Sequence, residues 1–444
     1  MARRRPQPAW GDVTDLTHDG RGVASADGKR VFIHDTLPGE HVEYQIVKRR
    51  RSYDEALPLT IENPSAQRVS PRCDVFGRCG GCSLQHVEHD TQLELKQRQL
   101  RENLHRIGRL GDIELAAPIV GPAWGYRRRA RLGVKNVYAK GRVLVGFRER
   151  MKPFIVDMGR CDVLTPALTD LPTELADLIE TLDASTRIPQ VEVSAADNQI
   201  ALVFRFLDAP SAADLDRLAG FQATKPYTVW LQTGGPDTIV PLAAFQADVA
   251  DPGLLNYRFD RHDVSLSFRP ADFVQINAAV NAALVDHAID ALALDASHTV
   301  LDLFCGIGNF TLPIARQVEA VYGVEGSTEL TDRASKNAIA NGITNAFFSA
   351  QDLDQISGHE SWLQSGFSRV LLDPARAGAA NLMPFLGKYR PDRVVYVSCH
   401  PGTLARDLGV LVNDFGFRLV EARIADMFPH TAHVESVAVL DGPR

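Results

Sequence analysis

The chain has 444 residues, 45% hydrophobic and 23% charged, with a net charge of -7. That composition is ordinary for a globular protein and excludes wholesale disorder and fibrous repeats; any nucleic-acid partner must be gripped by local basic patches rather than by the whole surface. At about 150 residues per domain, the length predicts roughly three domains. No apolar run approaches the roughly 18 residues of a membrane span, and Arg3 to Arg5 lead into Pro6 rather than into a signal-peptide core. A cytoplasmic location, no membrane partner and a monomer are expected.

From Gly11 to Ile61 short strands, among them Lys29 to His34 and His41 to Lys48, are punctuated by Gly, Asp and Pro turns. They predict a small all-β unit over residues 1–66, an OB-like barrel in its sharper form. Arg3 to Arg5 and Lys48 to Arg51, with Tyr44 and Tyr53 as stacking faces, suit an oligonucleotide; a solvated charged rim is the alternative.

A central α+β region is predicted over residues 67–265. Cys73, Cys79 and Cys82 crowd into ten residues, and Cys161 is the only other cysteine before the last third of the chain. Six cysteines are too few for a disulfide framework in a chain this long. Four thiolates indicate zinc or an iron-sulfur cluster, with His86 and His89 as further zinc ligands, and spacing alone does not separate these. A redox dithiol at Cys79 and Cys82 lacks the strand-helix-strand setting it needs. Leu93, Leu100, Leu104 and Ile107 mark one face of a helix closed by Gly108, which can pack on the last domain. Tyr126 to Arg131 is a run too basic to be buried and suited to phosphates.

Residues 266–444 alternate apolar strands with amphipathic helices, the signature of a doubly wound α/β domain. The segment LDLFCGIGNF, Leu301 to Phe310, reads as a strand entering a glycine loop and then a helix. Glu325 closes the next strand, where a carboxylate can accept both hydroxyls of a ribose. Thr311 stands where a dinucleotide fingerprint has its third glycine, so S-adenosylmethionine fits better than a pyrophosphate cofactor. Asp352 and Asp373 end later strands and face the same crevice. Asp373-Pro374 is followed by Ala375 and Arg376 rather than by an aromatic, which argues against an amine as methyl acceptor.

A pyrimidine ring carbon as acceptor is a poor nucleophile, so methylating C5 of such a ring would require a thiolate to add at C6 and activate C5. Cys399 ends an apolar strand and precedes Pro401 at a helix start, whose dipole favours a thiolate. Cys305 in the glycine loop is its rival. A base must then remove the C5 proton. Glu435 interrupts an otherwise apolar last strand, a costly place for a charge without a task, while His430 and His433 are weaker candidates.

Taken together, the four cysteines, Phe273-x-Gln275, LDLFCGIGNF, Tyr322-Gly-Val-Glu325, Asp373-Pro374, Ser398-Cys399 and His433-Val-Glu435-Ser436 resemble the bacterial RNA uracil-5-methyltransferases over essentially the whole chain. The resemblance implies a TRAM domain at the N-terminus and a [4Fe-4S] cluster on Cys73, Cys79, Cys82 and Cys161, followed by a Rossmann-like class I methyltransferase domain. It implies S-adenosylmethionine contacts from Gln275, Phe304, Asn309, Glu325, Asp352 and Asp373, with Cys399 as nucleophile and Glu435 as base. The barrel and cysteines point to the branch acting on 23S ribosomal RNA; the transfer-RNA branch is the alternative. Ala375 and His400 depart from the family pattern, which commonly has Pro and Asn there. A radical methylthiotransferase would need a Cys-x3-Cys-x2-Cys set, and the first spacing here is five residues.

Overall fold

The computed structural model describes residues 7–360, 362–363 and 366–443; Arg3 to Arg5 lie outside the described residues. Six strands form the first unit: β1 (Ala9–Asp12), β2 (Asp15–Leu16), β3 (Gly22–Ala26), β4 (Lys29–Ile33), β5 (His41–Arg49) and β6 (Tyr53–Glu62), paired in the order β1-β5-β6-β4-β3-β2. Alternate residues of these strands face inward, as the two-residue side-chain period requires, and Val31, Ile33, Val42, Tyr44 and Ala56 make the core. Tyr44 is therefore a core residue, and the expectation that it offers a stacking face is corrected. Tyr53 leans on Phe32 at 4.9 Å between ring centroids.

The cysteine segment leads into α1 (His89–Arg106) and then into a six-stranded sheet built from β7 (Arg129–Val137), β8 (Arg142–Gly146), β9 (Gln190–Ala195), β10 (Ile200–Arg205), β11 (Tyr227–Gln232) and β12 (Ile239–Pro241). Helices α2 (Leu171–Thr181) and α3 (Ala212–Thr224) accompany it. The basic run before β7 is mostly structural, contrary to the sequence reading. Tyr126 is buried and donates to the Pro429 carbonyl, Arg129 donates to the Pro270 and Asp272 carbonyls, and Arg128 and Arg131 pair with Asp197 and Glu192. A guanidinium can be buried when its fork is matched by fixed carbonyl acceptors, which a count of charges does not reveal.

The hairpin β13 (Leu255–Phe259) and β14 (Val264–Phe268) packs with α4 (Ala278–Leu292) onto the last sheet. That sheet comprises β15 (Thr299–Leu303), β16 (Ala320–Glu325), β17 (Ala346–Ala350), β18 (Arg369–Leu372), β19 (Arg393–Ser398), β20 (Arg418–Ala425) and β21 (Glu435–Asp441), with α5 (Thr311–Ala315), α6 (Thr328–Ala340), α7 (Met383–Tyr389) and α8 (Pro401–Phe415) between strands. The order is β17-β16-β15-β18-β19-β21-β20, with only β20 and β21 antiparallel to their neighbours. Central strands are apolar on both faces because both are covered: Val395 and Val397 face α4 and the hairpin, while Val394 and Tyr396 face α8. On that second face α1 returns from the cysteine region, burying Leu100 and Leu104 against Leu404 and Leu408. The backbones meet closely at Gly108 and Gly409, where a Cβ added to Gly409 would stand 2.8 Å from the Gly108 oxygen. Among the described residues no helix is long and apolar enough to cross a membrane.

Candidate active site

In an open parallel sheet the ligand crevice lies outside the carboxyl ends of the strands, where neighbouring connections diverge to opposite faces. Here that point falls between β15 and β18. Beyond β15 the chain turns through Gly306 and Gly308, with φ of +55° and +96°, and Phe304 takes φ of +65°, a conformation that a bulky side chain adopts only under constraint. A Cβ added to Gly306 would meet nothing within 4 Å, so the loop is open to a ligand. At the end of β16 the Glu325 carboxylate accepts from the Gly306 and Ser327 backbone N–H groups, both at 3.2 Å, which locks it over this opening.

Asn309 is committed within the protein: its Oδ1 accepts from the Tyr257 hydroxyl at 2.8 Å, and its amide pairs with that of Asn281. Asp352, past the end of β17, is exposed and closes a turn by accepting from the Asp354 N–H and the Gln355 amide. Gln275 is half-buried on the segment entering α4, and Phe273 beside it is exposed. Within the loop Cys305 is buried, its thiol pushed well up by burial, and so cannot be the cleft nucleophile. Sequence reasoning passed over Asp302, a fully buried carboxyl inside β15 that accepts from the Thr311 hydroxyl at 2.5 Å and has one oxygen without a partner. The signal was present, since a charge within Val300–Leu303 has no solvent to face. Burial raises its pKa to about 7, against the opposing pull of Thr311.

The candidate nucleophile and base come together one step along the sheet. Asp373 follows β18, and Cys399 follows β19. Ser398 pairs with Ser436 across the antiparallel β19 and β21, so the next position in register sets Cys399 opposite Glu435. Glu435 is buried at 3% exposure, whereas Cys399 is half-buried and opens into a cleft of about 1570 Å³ with Arg127, Phe147, Arg376, Phe428 and His433. Residue His18 of the first unit reaches the same cleft, so all three parts of the chain contribute to it.

Burial pushes Cys399 up to about 11, Glu435 and Asp373 adding to the effect and Arg376 opposing it. Burial likewise raises Asp373 to about 7, and burial followed by the Asp373 charge raises Glu435. The helix expected beyond Cys399 is present and begins at Pro401. At its start His400 accepts from the Thr403 N–H at 3.2 Å, doing the N-cap work for which asparagine is usually chosen. His430 is buried against Trp124 and hydrogen-bonded to Gln92, a structural position, while His433 lines the cleft.

The loop from Asp426 to Val434, which delivers Glu435, is held from two sides. Lys96 of α1 is buried and its Nζ donates to Asp426 Oδ1 at 2.6 Å and to the Phe428 carbonyl at 3.0 Å; His89 reaches the other Asp426 oxygen at 2.9 Å. Burial depresses Lys96 and works against ionisation of Asp426, yet the hydrogen bonds from His89 and Lys96 hold the Asp426 pKa down. On the other side, Ser83 and Leu84 donate their N–H groups to the His430 carbonyl. Lys96 also escaped sequence reasoning, although a lysine on the stripe of Leu93 and Leu100 was its signal.

Cys73, Cys79, Cys82 and Cys161 line one cavity, walled by Phe76, Phe147, Met158 and Val163. Burial raises the Cys82 thiol to about 12 and the Cys161 thiol to about 11. His89 is engaged with Asp426, and His86 lies beside the Phe76 ring. Among the described residues no three His, Cys, Asp or Glu side chains are gathered around a point that could hold a single ion. Gly81, Cys82, Arg127 and Phe147 line both this cavity and the cleft at Cys399.

The family profile described as tRNA (Uracil-5-)-methyltransferase matches residues 256–442. The 23S rRNA (uracil(1939)-C(5))-methyltransferase RlmD of Alkalilimnicola ehrlichii is 48% identical, over 99% of this chain and 98% of its own. The chain belongs to the RNA uracil-5-methyltransferase family. The RlmD of Stenotrophomonas maltophilia is 45% identical, over 99% of this chain and 100% of its own. For the family fold, the tRNA (uracil-54, C5)-methyltransferase of Pyrococcus abyssi superposes with a TM-score of 0.73 at 24% identity, covering 97% of this chain and 100% of that one. This chain is therefore a methyltransferase of RNA uracil, with a Rossmann-like catalytic sheet in a multidomain frame.

Proposed function

We propose that this protein methylates C5 of uridine 1939 in 23S ribosomal RNA, the reaction in the printed names of its full-length relatives. The observation that carries the mechanism is the register setting Cys399 opposite Glu435, with Asp373 on the adjoining strand. S-adenosylmethionine supplies an electrophilic methyl group when bound. Glu325 would hold its ribose, with Gln275, Phe304, Asn309, Asp352 and Asp373 around it. The open glycine loop and the locked carboxylate fit that ligand.

Cys399 loses its proton to water and its sulfur adds to C6 of the uracil; the ring electrons move toward C5, which takes the methyl group. Glu435 then accepts the C5 proton, the C5–C6 double bond re-forms, and the C6–S bond breaks with its electrons returning to Cys399. Burial that raises the Glu435 pKa also makes its carboxylate a stronger base once ionised. Because a stacked base hides C6, the target must be unpaired or flipped into the cleft. The OB-like first unit serves as a TRAM-type RNA grip. RNA carrying 5-fluorouridine at the target, which has no C5 proton to lose, should trap the wild-type chain as a covalent complex. Cys399→Ala should form none; an equal yield would refute the assignment of the nucleophile.

Cys73, Cys79, Cys82 and Cys161 would hold a [4Fe-4S] cluster. An all-sulfur set in one apolar cavity fits a group that brings its own positive charge and spans more than one ion. Bound there, it would cross-link a loop that touches both the RNA cleft and the loop delivering Glu435. Anaerobically purified protein should contain about four iron and four sulfide per chain. Cys82→Ser should lose them, and stoichiometric zinc in place of iron would overturn the reading.

A further inference from the structure

We infer that a second groove, on the central sheet, binds an unpaired stretch of the same RNA beside the target nucleotide; this rests on the function proposed above. The groove has an empty volume of about 1450 Å³, and its walls come from β7, the turn before β8 and the segment Arg148–Ile155. Tyr138 and Phe154 line it with exposures of 83% and 62%. Two large aromatic rings held in water at one groove are costly unless something stacks on them.

Three further observations select RNA as the occupant. Arg148 and Glu149 line both this groove and the cleft at Cys399, so the two are continuous. Lys135 and Arg148 line the groove, are exposed and form no ion pair among the described residues, which leaves their charges available to phosphates. The wall between groove and cleft is also fastened: the Gly80 N–H donates to the Arg148 carbonyl, the Arg150 N–H to the Arg78 carbonyl and the Glu149 N–H to the Phe154 carbonyl. Exposed aromatics interleaved with cations along a fixed wall are the usual platform for single-stranded nucleic acid, stacking giving affinity without reading sequence. The cysteine loop thereby braces the strand of protein that separates the reacting base from its neighbours.

The test is equilibrium binding and methylation with two RNAs, one a hairpin limited to the target loop and one extended from it by about ten unpaired nucleotides. The full-length wild type should bind the extended RNA more tightly. In Tyr138→Ala/Phe154→Ala its dissociation constant should rise about fivefold or more for each ring lost, approaching that of the short hairpin. Both positions are exposed, so unchanged thermal unfolding serves as the folding control. Photocrosslinking from 4-thiouridine in the extension should map to the groove. Equal binding of the extended RNA by both proteins, or crosslinks elsewhere only, would overturn the proposal. Failure of the wild type to methylate either RNA would overturn the functional reading itself, a result distinct from loss of the extension's contribution alone.

Discussion

The carboxyl edge of the catalytic sheet and the four-cysteine cavity share a wall at Arg127 and Phe147, and both bury acids. At the sheet edge, Cys399, Asp373 and Glu435 sit together, with Arg376 a cation that favours the thiolate. In the cavity, thiols are gathered among apolar side chains. An acid out of water holds its proton until a positive charge arrives, and the two regions differ in how long that charge stays. The edge is open, so its counter-charge comes and goes with the cofactor. The cavity is walled in, which suits a resident cluster. The proposed reactive site and the proposed cluster site thus both gather buried acids and differ in access.

The sharpest way to break this comparison is to remove the base. Glu435→Gln should slow release of product about 10²–10⁴-fold while the methylated covalent complex accumulates, seen as a retarded band in denaturing gels. Free product at the wild-type rate would assign the proton to another group.

A second experiment asks whether the edge depends on its brace. Lys96→Met leaves Asp426 buried without its lysine partner, the His89 hydrogen bond remaining, and should cost about 3–5 kcal/mol in denaturant unfolding. Lys96→Met/Asp426→Leu should recover most of that loss; a cost below about 1 kcal/mol for the single change would show that the loop leading to Glu435 is held by other contacts.

The smallest effect concerns Asp302. Its pKa, raised to about 7 from 3.8, means that the folded protein binds a proton the unfolded chain releases. Its contribution to stability is therefore full below about pH 4 and is lost as the pH rises toward about 7, after which it is level. Asp302→Asn removes that slope, so the melting temperature of the variant relative to wild type should climb by about 2 °C or more between pH 5 and pH 8. A constant difference would show that Asp302 stays ionised throughout.

The placement of the candidate site residues at strand ends was legible in the sequence because it is local. A β-strand followed by Gly306 and Gly308, an acid closing the next strand at Glu325, a cysteine between an apolar strand and Pro401, and a carboxylate inside an apolar run at Glu435 each state their element and their anomaly within a few residues. The change from short strands to alternating strands and helices was legible too, since the periodicity changes along the chain.

What only the tertiary structure decided are the pairings between distant segments. Whether Cys399 meets Glu435 depends on the antiparallel register of β19 and β21, which a shift of one residue would turn to the other face. The same holds for Lys96 reaching Asp426, for Arg129 finding the carbonyls of Pro270 and Asp272, and for Tyr44 turning inward. Local pattern specifies how often a side chain returns to one face, but not which partner covers that face. Burial, and with it the rise in pKa of Cys399, Asp373 and Glu435, comes into being only when those segments close on each other.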